Sequence, residues 1–219
     1  MRLYLSSFRF GDHTDKLHGL LKGGTSVALI GNSMDFLQGQ ARSDSIRQEM
    51  ERLKGIGFDP TEVDLRNYFD NPEGLKQELE QFDLVWVRGG NTFILARAFL
   101  QSGADKVLKE LLDKDILAYG GYSAGVCVLT PLLKGLETVD DPRVIPESYQ
   151  EREIWEGLGI LPYAVAPHYK SDHPESSMVD DAVQYFIDNH MPFVALRDGE
   201  VIINNNDSFV IHGLINKQP

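Results

Sequence analysis

Short apolar runs alternate with helical patterns from near the N-terminus to about residue 135, and this alternation constrains the fold more than any other feature of the sequence. The predicted strands are residues 2–5 (RLYL), 26–30 (SVALI), 62–65, 84–87 (LVWV) and 116–119 (ILAY). Short apolar runs of this kind are typical of strands buried on both faces of a parallel sheet. Apolar residues recur between them at helical spacing, as at Ile46, Met50 and Leu53. The pattern predicts an α/β fold with a doubly wound parallel sheet flanked by helices.

The C-terminal third has a looser pattern. A charged stretch with two prolines, residues 135–153, predicts an exposed loop. A short strand at 164–166, a helix over 175–189 and three β runs around Phe193, Val201 and Phe209 follow. Asp198-Gly199 and residues 204–207 are turn signals of the hairpin type. We therefore expect antiparallel strands at one edge of the sheet.

Length and composition indicate an ordinary globular protein. A chain of 219 residues can bury a large core without disulfides or a structural metal, so we predict one domain over residues 1–219. The single cysteine, Cys127, is expected to be a small buried residue. No segment approaches the roughly 18 apolar residues of a membrane span, and the first 13 residues lack the apolar run of a signal peptide. We expect a cytoplasmic protein that is not bound to a membrane.

The charge balance bears on the class of partner. The formal net charge is -12 and no cluster of Lys and Arg is present. Because nonspecific binding to a phosphate backbone needs a positive face, we predict that nucleic acid is not a partner. The sequence predicts no particular oligomeric state.

The segment Gly121-Tyr122-Ser123-Ala124-Gly125 follows a predicted strand and precedes a run compatible with a helix. This is the strand-turn-helix context of the G-x-S-x-G nucleophile elbow, in which a serine hydroxyl projects from a strained corner. A turn without chemistry, or one that binds phosphate, has the same composition. The motif makes Ser123 a candidate nucleophile.

A second glycine-rich turn, Arg88-Gly89-Gly90-Asn91, also follows a buried strand. Glycines at the carboxyl end of a strand leave backbone amides uncovered, and such amides can stabilise an oxyanion. Ligands bind at this edge of open α/β sheets. The alternative is a plain turn in which Asn91 or Thr92 caps the next helix.

A serine nucleophile needs a base, and His168 lies just past the short strand YAVA. His173 is the main competitor for this role, because the other four histidines have ordinary structural explanations. A structural role for His168 itself is the other possibility.

Together these segments resemble the peptidase E family of serine peptidases, which includes Asp-specific dipeptidases and cyanophycinases. The matching pieces are GGNTF at 89–93, YGGYSAG at 119–125, Pro131 and LGILPYAVAPHY at 158–169. The resemblance implies a flavodoxin-like sheet related to class I glutamine amidotransferases. It also implies a cytoplasmic hydrolase that cleaves small peptides without a metal or cofactor.

Carried over onto this sequence, the resemblance makes Ser123 the nucleophile, His168 the general base, and the amides of Gly90 and Ala124 the oxyanion hole. The family places the catalytic acid in the loop after the serine-bearing helix. Asp140 is the candidate there, with Asp141 and Glu137 as alternatives because the loop is about two residues longer than the dipeptidase pattern.

The segment after the histidine departs from the family's Gly-Glu-Thr-Arg type. The stretch KSDHPESSMVDDAV keeps Glu175 but has no arginine, which puts specificity for Asp-X dipeptides in doubt. Candidate substrate-binding residues are Glu175, Asn91, Lys170 and Arg88, and an arginine at position 88 could equally point to solvent.

Two other functions fit the same residues. One is a binding protein for a small molecule or peptide that keeps the fold without activity. The other is a hydrolase of a different amide or ester, such as an esterase of the α/β-hydrolase type. Those esterases usually have longer chains with lid segments than this one. In this sequence about fifty residues also follow His168.

Overall fold

The computed structural model describes residues 1–205 and 208–215, and its centre is a sheet of seven strands. In chain order these strands are β1 (Arg2–Ser6), β2 (Ser26–Ile30), β3 (Asp59–Glu62), β4 (Leu84–Val87), β5 (Ala118–Tyr122), β8 (Val201–Asn205) and β9 (Phe209–His212). Across the sheet the order is β3-β2-β4-β5-β1-β8-β9. The five strands from β3 to β1 are parallel, and β8 and β9 add antiparallel pairs at one edge. The predicted α/β fold with C-terminal antiparallel edge strands is confirmed.

Helices cover both faces of this sheet. In chain order they are α1 (Thr14–Leu20), α2 (Gly39–Gly55), α3 (Pro72–Leu79), α4 (Thr92–Ser102), α5 (Ala104–Asp113), α6 (Ala124–Cys127) and α7 (Ser176–Asp188). Apolar residues of α1 and α2 pack on one face, and those of α3 to α7 pack on the other. This is a doubly wound arrangement.

Alternation along each strand divides the core into two layers. On β1, Leu3 and Leu5 belong to the layer of α3 to α7, whereas Tyr4 belongs to the layer of α1 and α2. Successive strand residues point to opposite faces, so an entirely apolar strand supplies both layers. The apolar runs in the sequence reflect this burial on two sides.

A second sheet has two parallel strands, β6 (Ala164–Ala166) and β7 (Phe193–Ala195), with α7 between them in the chain. Sequence analysis predicted these β runs, but it did not separate β7 from the edge strands of the main sheet. The predicted turn over residues 204–207 lies partly outside the described residues.

Two strand boundaries differ from the prediction. The strand expected at 62–65 is observed as β3, three residues earlier, and Leu65 begins a short 3-10 helix (Leu65–Tyr68). As an edge strand, β3 can carry polar residues and Pro60 without disturbing the sheet. The strand expected at 116–119 is observed as β5, which runs on through Gly120 and Gly121.

The buried side chain of Arg97 on α4 binds the backbone of the segment 139–160. The guanidinium donates to the carbonyl oxygens of Pro142 at 2.7 Å, Arg152 at 3.1 Å and Val144 at 3.5 Å. The loop predicted at residues 135–153 is therefore bound to α4 through Arg97. Within the described part of the chain, no helix combines the length and the apolar character needed to span a membrane.

Candidate active site

Ser123 lies at the corner between β5 and α6, as the nucleophile-elbow motif predicts. Its backbone has φ 51° and ψ -116°, a conformation that a residue other than glycine adopts with strain. Gly125 packs against β4 so closely that an added Cβ would lie 2.4 Å from the carbonyl oxygen of Val87. The hydroxyl of Tyr119 donates to the carbonyl oxygen of Gly125 at 2.6 Å. These contacts hold the corner that projects the serine.

The turn after β4 is held by Ser33, a fully buried residue in a short 3-10 helix (Asn32–Met34). The Ser33 hydroxyl donates to the carbonyl oxygens of Arg88 and Gly89, each at 2.9 Å. Its carbonyl oxygen accepts from the amide of Asn91, also at 2.9 Å. Sequence analysis missed Ser33, and the polar run Gly31-Asn32-Ser33 after β2 is the signal that could have found it.

This turn lies directly against Ser123. A Cβ built on Gly89 would be 3.0 Å from Cβ of Ser123. Gly90 has φ +151°, and a Cβ there would be 2.7 Å from the carbonyl oxygen of Ser33, so both its backbone angle and its surroundings require glycine. Ala124 is the first residue of α6, so its amide has no acceptor within the helix. The structure brings the predicted oxyanion-hole residues together around Ser123.

His168 follows β6 and lines the same cleft as Ser123. It is 2% exposed and has φ +62°. Its amide donates to the hydroxyl of Ser7 at 2.8 Å, and its Nδ1 lies 2.7 Å from Oδ1 of Asp198. An ionised carboxylate only accepts hydrogen bonds, so Nδ1 carries the proton and Nε2 is left with its lone pair. This is the tautomer that a general base needs.

Asp198 lies in a turn that follows β7. Its carboxylate also accepts from the hydroxyl of Ser7 at 2.8 Å, and its amide donates to the hydroxyl of Ser171 at 2.8 Å. Burial alone would raise the pKa of Asp198, but the hydrogen bonds from His168 and Ser7 and the nearby imidazole hold it below its ordinary value. Asp198 is therefore an ionised partner for His168.

Sequence analysis predicted an acid from the loop after α6 as the partner of His168, whereas in the structure Nδ1 of His168 is bonded to Asp198. Asp140 instead accepts from the amide of Thr92 at 2.9 Å, at the start of α4. Asp141 is bonded to Arg143, and Glu137 accepts from the amide of Gly135. The loop acids bind local backbone and side-chain donors, whereas the acid on the imidazole comes from a turn 30 residues after the histidine.

Asp140 nevertheless lines the cleft. Burial raises its pKa to about 6, and the charge of Glu175 contributes in the same direction, while the hydrogen bonds from Thr92 oppose the shift. It is a carboxyl group that titrates close to neutral pH.

The cleft over Ser123 has a volume of about 580 Å³, which is within the range of small-molecule sites. Of the predicted substrate-binding residues, Arg88, Asn91 and Glu175 line it. The Asn91 side chain caps α4 by accepting from the amides of Phe93 and Ile94. Lys170 pairs with Asp180 on α7 and is not among the residues that line the cleft.

A small chamber adjoins the cleft and shares Ser123, Asp140, His168 and Glu175 with it. Its other walls include Leu136, Val179 and Ala182. The volume in which the centre of a water molecule fits is about 20 Å³. A space of this size holds a methyl group or a single water.

Cys127 also borders the chamber, and it is buried as predicted. Its Sγ lies 3.7 Å from the carbonyl oxygen of Val165, and burial raises the pKa of the thiol well above its ordinary value. A neutral thiol is a poor nucleophile, which agrees with the choice of Ser123.

His173 stacks on His168, with ring centroids 3.7 Å apart and an angle of 7° between the planes. Among the described residues, these two rings and Asp198 form a group whose ligand atoms lie within 4.8 Å of one another. A metal ion needs ligand lone pairs that point to one position. The lone pairs of two parallel stacked rings point side by side instead, and Asp198 is already bonded to His168. The group therefore fits a stacked pair better than a metal site.

Comparisons with known proteins bear on the family of this chain. Residues 38–212 match the model of peptidase family S51. Peptidase E of Streptomyces coelicolor is 31% identical over 159 residues, which are 69% of this chain and 60% of that protein. A Drosophila melanogaster protein described as a probable alpha-aspartyl dipeptidase is 28% identical over 155 residues, 65% of this chain and 61% of that protein. The matched region thus spans about three fifths of each of these relatives.

A solved structure shows the same fold. The crystal structure of a Listeria monocytogenes EGD-e protein assigned as a peptidase E superposes with a TM-score of 0.77. The superposition covers 98% of both chains at 20% sequence identity.

Proposed function

The chain belongs to peptidase family S51, and from that membership we propose that it is a serine peptidase that hydrolyses short peptides through Ser123. The observation that carries the proposal is the arrangement in one cleft of a strained serine, a buried histidine bonded to a carboxylate, and a glycine turn against the serine. A structural turn has no need of all three features. A phosphate-binding turn would not call for a buried imidazole–carboxylate pair.

In the proposed reaction, Nε2 of His168 removes the proton of the Ser123 hydroxyl as its oxygen attacks the peptide carbonyl. The amides of Gly90 and Ala124 stabilise the oxyanion. His168 then protonates the leaving amine, and water hydrolyses the acyl-enzyme with the same histidine as base. Asp198 keeps the proton on Nδ1 and stabilises the imidazolium.

We also propose that the residue on the acyl side of the scissile bond is small. The chamber beside Ser123 accepts about a methyl group, and its walls combine apolar side chains with the carboxyl groups of Asp140 and Glu175. Arg88 lines the same cleft, and its Nη1 donates to the carbonyl oxygen of Gly89. Substrates with N-terminal Gly, Ala or Ser are the best candidates, with Asp-X dipeptides as the comparison that the Drosophila relative's name suggests.

The test is release of the N-terminal residue from a panel of dipeptides and aminoacyl amides by the wild-type protein and Ser123→Ala. Ser177→Ala, an exposed serine on α7, is the matched control. Cleavage that disappears with Ser123 alone would support the proposal. Binding of panel members without cleavage would favour a binding protein on this fold, and cleavage confined to simple esters would favour an esterase.

A further inference from the structure

The imidazole of His168 is held on two sides by aromatic rings. His173 lies flat on it at 3.7 Å, and Phe8 meets it edge-on at 5.6 Å with an angle of 70°. Phe8 also contacts His173 edge-on, at 5.2 Å and 68°. We propose that His173 is a positioning residue that fixes the plane of the His168 ring. This inference rests on the proposed role of His168 as general base.

The hydrogen bond to Asp198 does not by itself fix the orientation of the His168 ring. It fixes the distance of Nδ1 from the carboxylate, but the ring can still tilt about the line from Nδ1 to Oδ1 through small coupled changes of χ1 and χ2. Such a tilt would move Nε2 within the cleft while Nδ1 keeps its partner. A flat ring at van der Waals distance opposes this tilt, because it would bring edge atoms of one ring into the face of the other.

His173 is itself fixed by the turn that precedes α7. Its Nδ1 accepts from the amide of Glu175 at 3.3 Å, and its carbonyl oxygen accepts from the amide of Ser176 at 3.0 Å. The hydroxyl of Ser176 in turn accepts from the amide of Ser171 at 3.2 Å. The turn therefore presents the His173 ring in one orientation.

The charged groups around His173 are compatible with a neutral ring in the stack. They are His168, Asp198 and Glu175, whose Oε2 lies 3.9 Å from Nδ1 of His173 and 4.0 Å from Nε2 of His168. Burial first, and the neighbouring His168 second, lower the pKa of His173. An uncharged ring can stay in contact while His168 gains its proton during the reaction.

This arrangement also explains why His173 is not the base itself. Its ring is bonded to a backbone amide, and among the described residues no carboxylate lies at hydrogen-bond distance from it, whereas His168 has Asp198 at 2.7 Å. The two histidines therefore have different roles, one chemical and one mechanical.

The proposal is tested with His173→Phe and His173→Ala. Phenylalanine keeps a flat ring but cannot exchange protons, and alanine removes the ring. His18→Ala is the matched control, because His18 stacks on Phe58 at 4.6 Å on α1, away from the cleft. The readouts are kcat and KM on a cleaved peptide, the rate of Ser123 labelling by a fluorophosphonate, and the low-field NMR signal of the His168 Nδ1 proton.

We expect His173→Ala to lower kcat and the labelling rate by about 10- to 100-fold, with KM changed less than about 3-fold, because a displacement near 1 Å can cost about 100-fold. His173→Phe should restore both rates to within several-fold of wild type. The Nδ1 proton signal should broaden in the alanine variant and stay sharp in the phenylalanine variant and in the control.

Wild-type rates in His173→Ala, or rates in His173→Phe as low as in the alanine variant, would overturn the proposal. The first result would make the stack irrelevant, and the second would give His173 a proton-transfer role. If the wild-type protein neither cleaves nor is labelled, the proposed function fails. The NMR signal still decides in that case whether His173 positions the ring.

Discussion

Oδ1 of Asp198 lies 2.7 Å from Nδ1 of His168, although 30 residues separate them in the chain. The contact joins two turns, one after each strand of the small sheet. It differs from the pairing predicted from the sequence, and it is the reason why Asp198, not a loop residue, is the acid of the proposed mechanism.

Asp198→Asn should lower kcat by about 100- to 10,000-fold, because an amide can stabilise the wrong imidazole tautomer. Steady-state kinetics on the best peptide of the panel measures this change. The matched control is Asp140→Asn, which should lower kcat much less. A larger loss in Asp140→Asn than in Asp198→Asn would return the catalytic role to the loop acid.

Asp140→Asn should also make the protein more stable above pH 6. The folded-state pKa of Asp140, about 6, exceeds its ordinary value of 3.8, so the folded protein binds a proton more tightly than the unfolded chain. Ionisation therefore costs stability as the pH rises from about 4 to 6, and the full cost is present above pH 6.

The expected gain in the free energy of unfolding is about 1–3 kcal/mol at pH 8, vanishing near pH 4. Urea unfolding of both proteins at the two pH values measures it. An equal gain at both pH values would show that the titration of Asp140 is not its cause.

Ser33→Ala should lower kcat by about 10-fold with little change in KM, because the hydroxyl holds the carbonyl groups of Arg88 and Gly89 and thereby the Gly90 amide. Ser45→Ala is the matched control, since the buried Ser45 hydroxyl has no hydrogen-bond partner among the described residues. The comparison fails to support this role of Ser33 if both variants lose activity equally.

Arg97→Met should release the segment 139–160 by leaving the carbonyl groups of Pro142, Val144 and Arg152 without their donor. We expect a loss of about 1–3 kcal/mol in the free energy of unfolding and new proteolytic cuts between residues 141 and 155. Limited proteolysis followed by mass spectrometry locates the cuts. Arg47→Met, at an exposed arginine of α2, should leave the digestion pattern unchanged.

The central strands and the strained turn at Ser123 were predictable because local pattern and tertiary burial agree there. The run at 84–87 is apolar and fully buried, and it appears as β4 with those bounds. At β5, Gly120 weakened the strand signal, yet its missing side chain is what admits Trp86, since a Cβ there would lie 2.6 Å from the indole. A packing requirement of this kind has no trace in the local pattern.

The partner of the base was not predictable for a related reason. Asp198-Gly199 has the composition of an ordinary turn, and the sequence contains no sign that β7 pairs with β6. Ser7, Ser33 and His173 were missed or left undecided in the same way. Each acts through a contact across the fold, and residue type alone does not carry that information.

The residues of the proposed reaction come from two separate sheets. Ser123 and the glycine turn follow strands of the main sheet, whereas His168 and Asp198 follow the two strands of the small sheet. The cleft therefore lies between the two sheets, and the hydroxyl of Ser7, just after β1, links it to both turns of the small sheet. The proposed reaction depends on the alignment of the two sheets, so substitutions between them can change its rate while every reacting group stays the same.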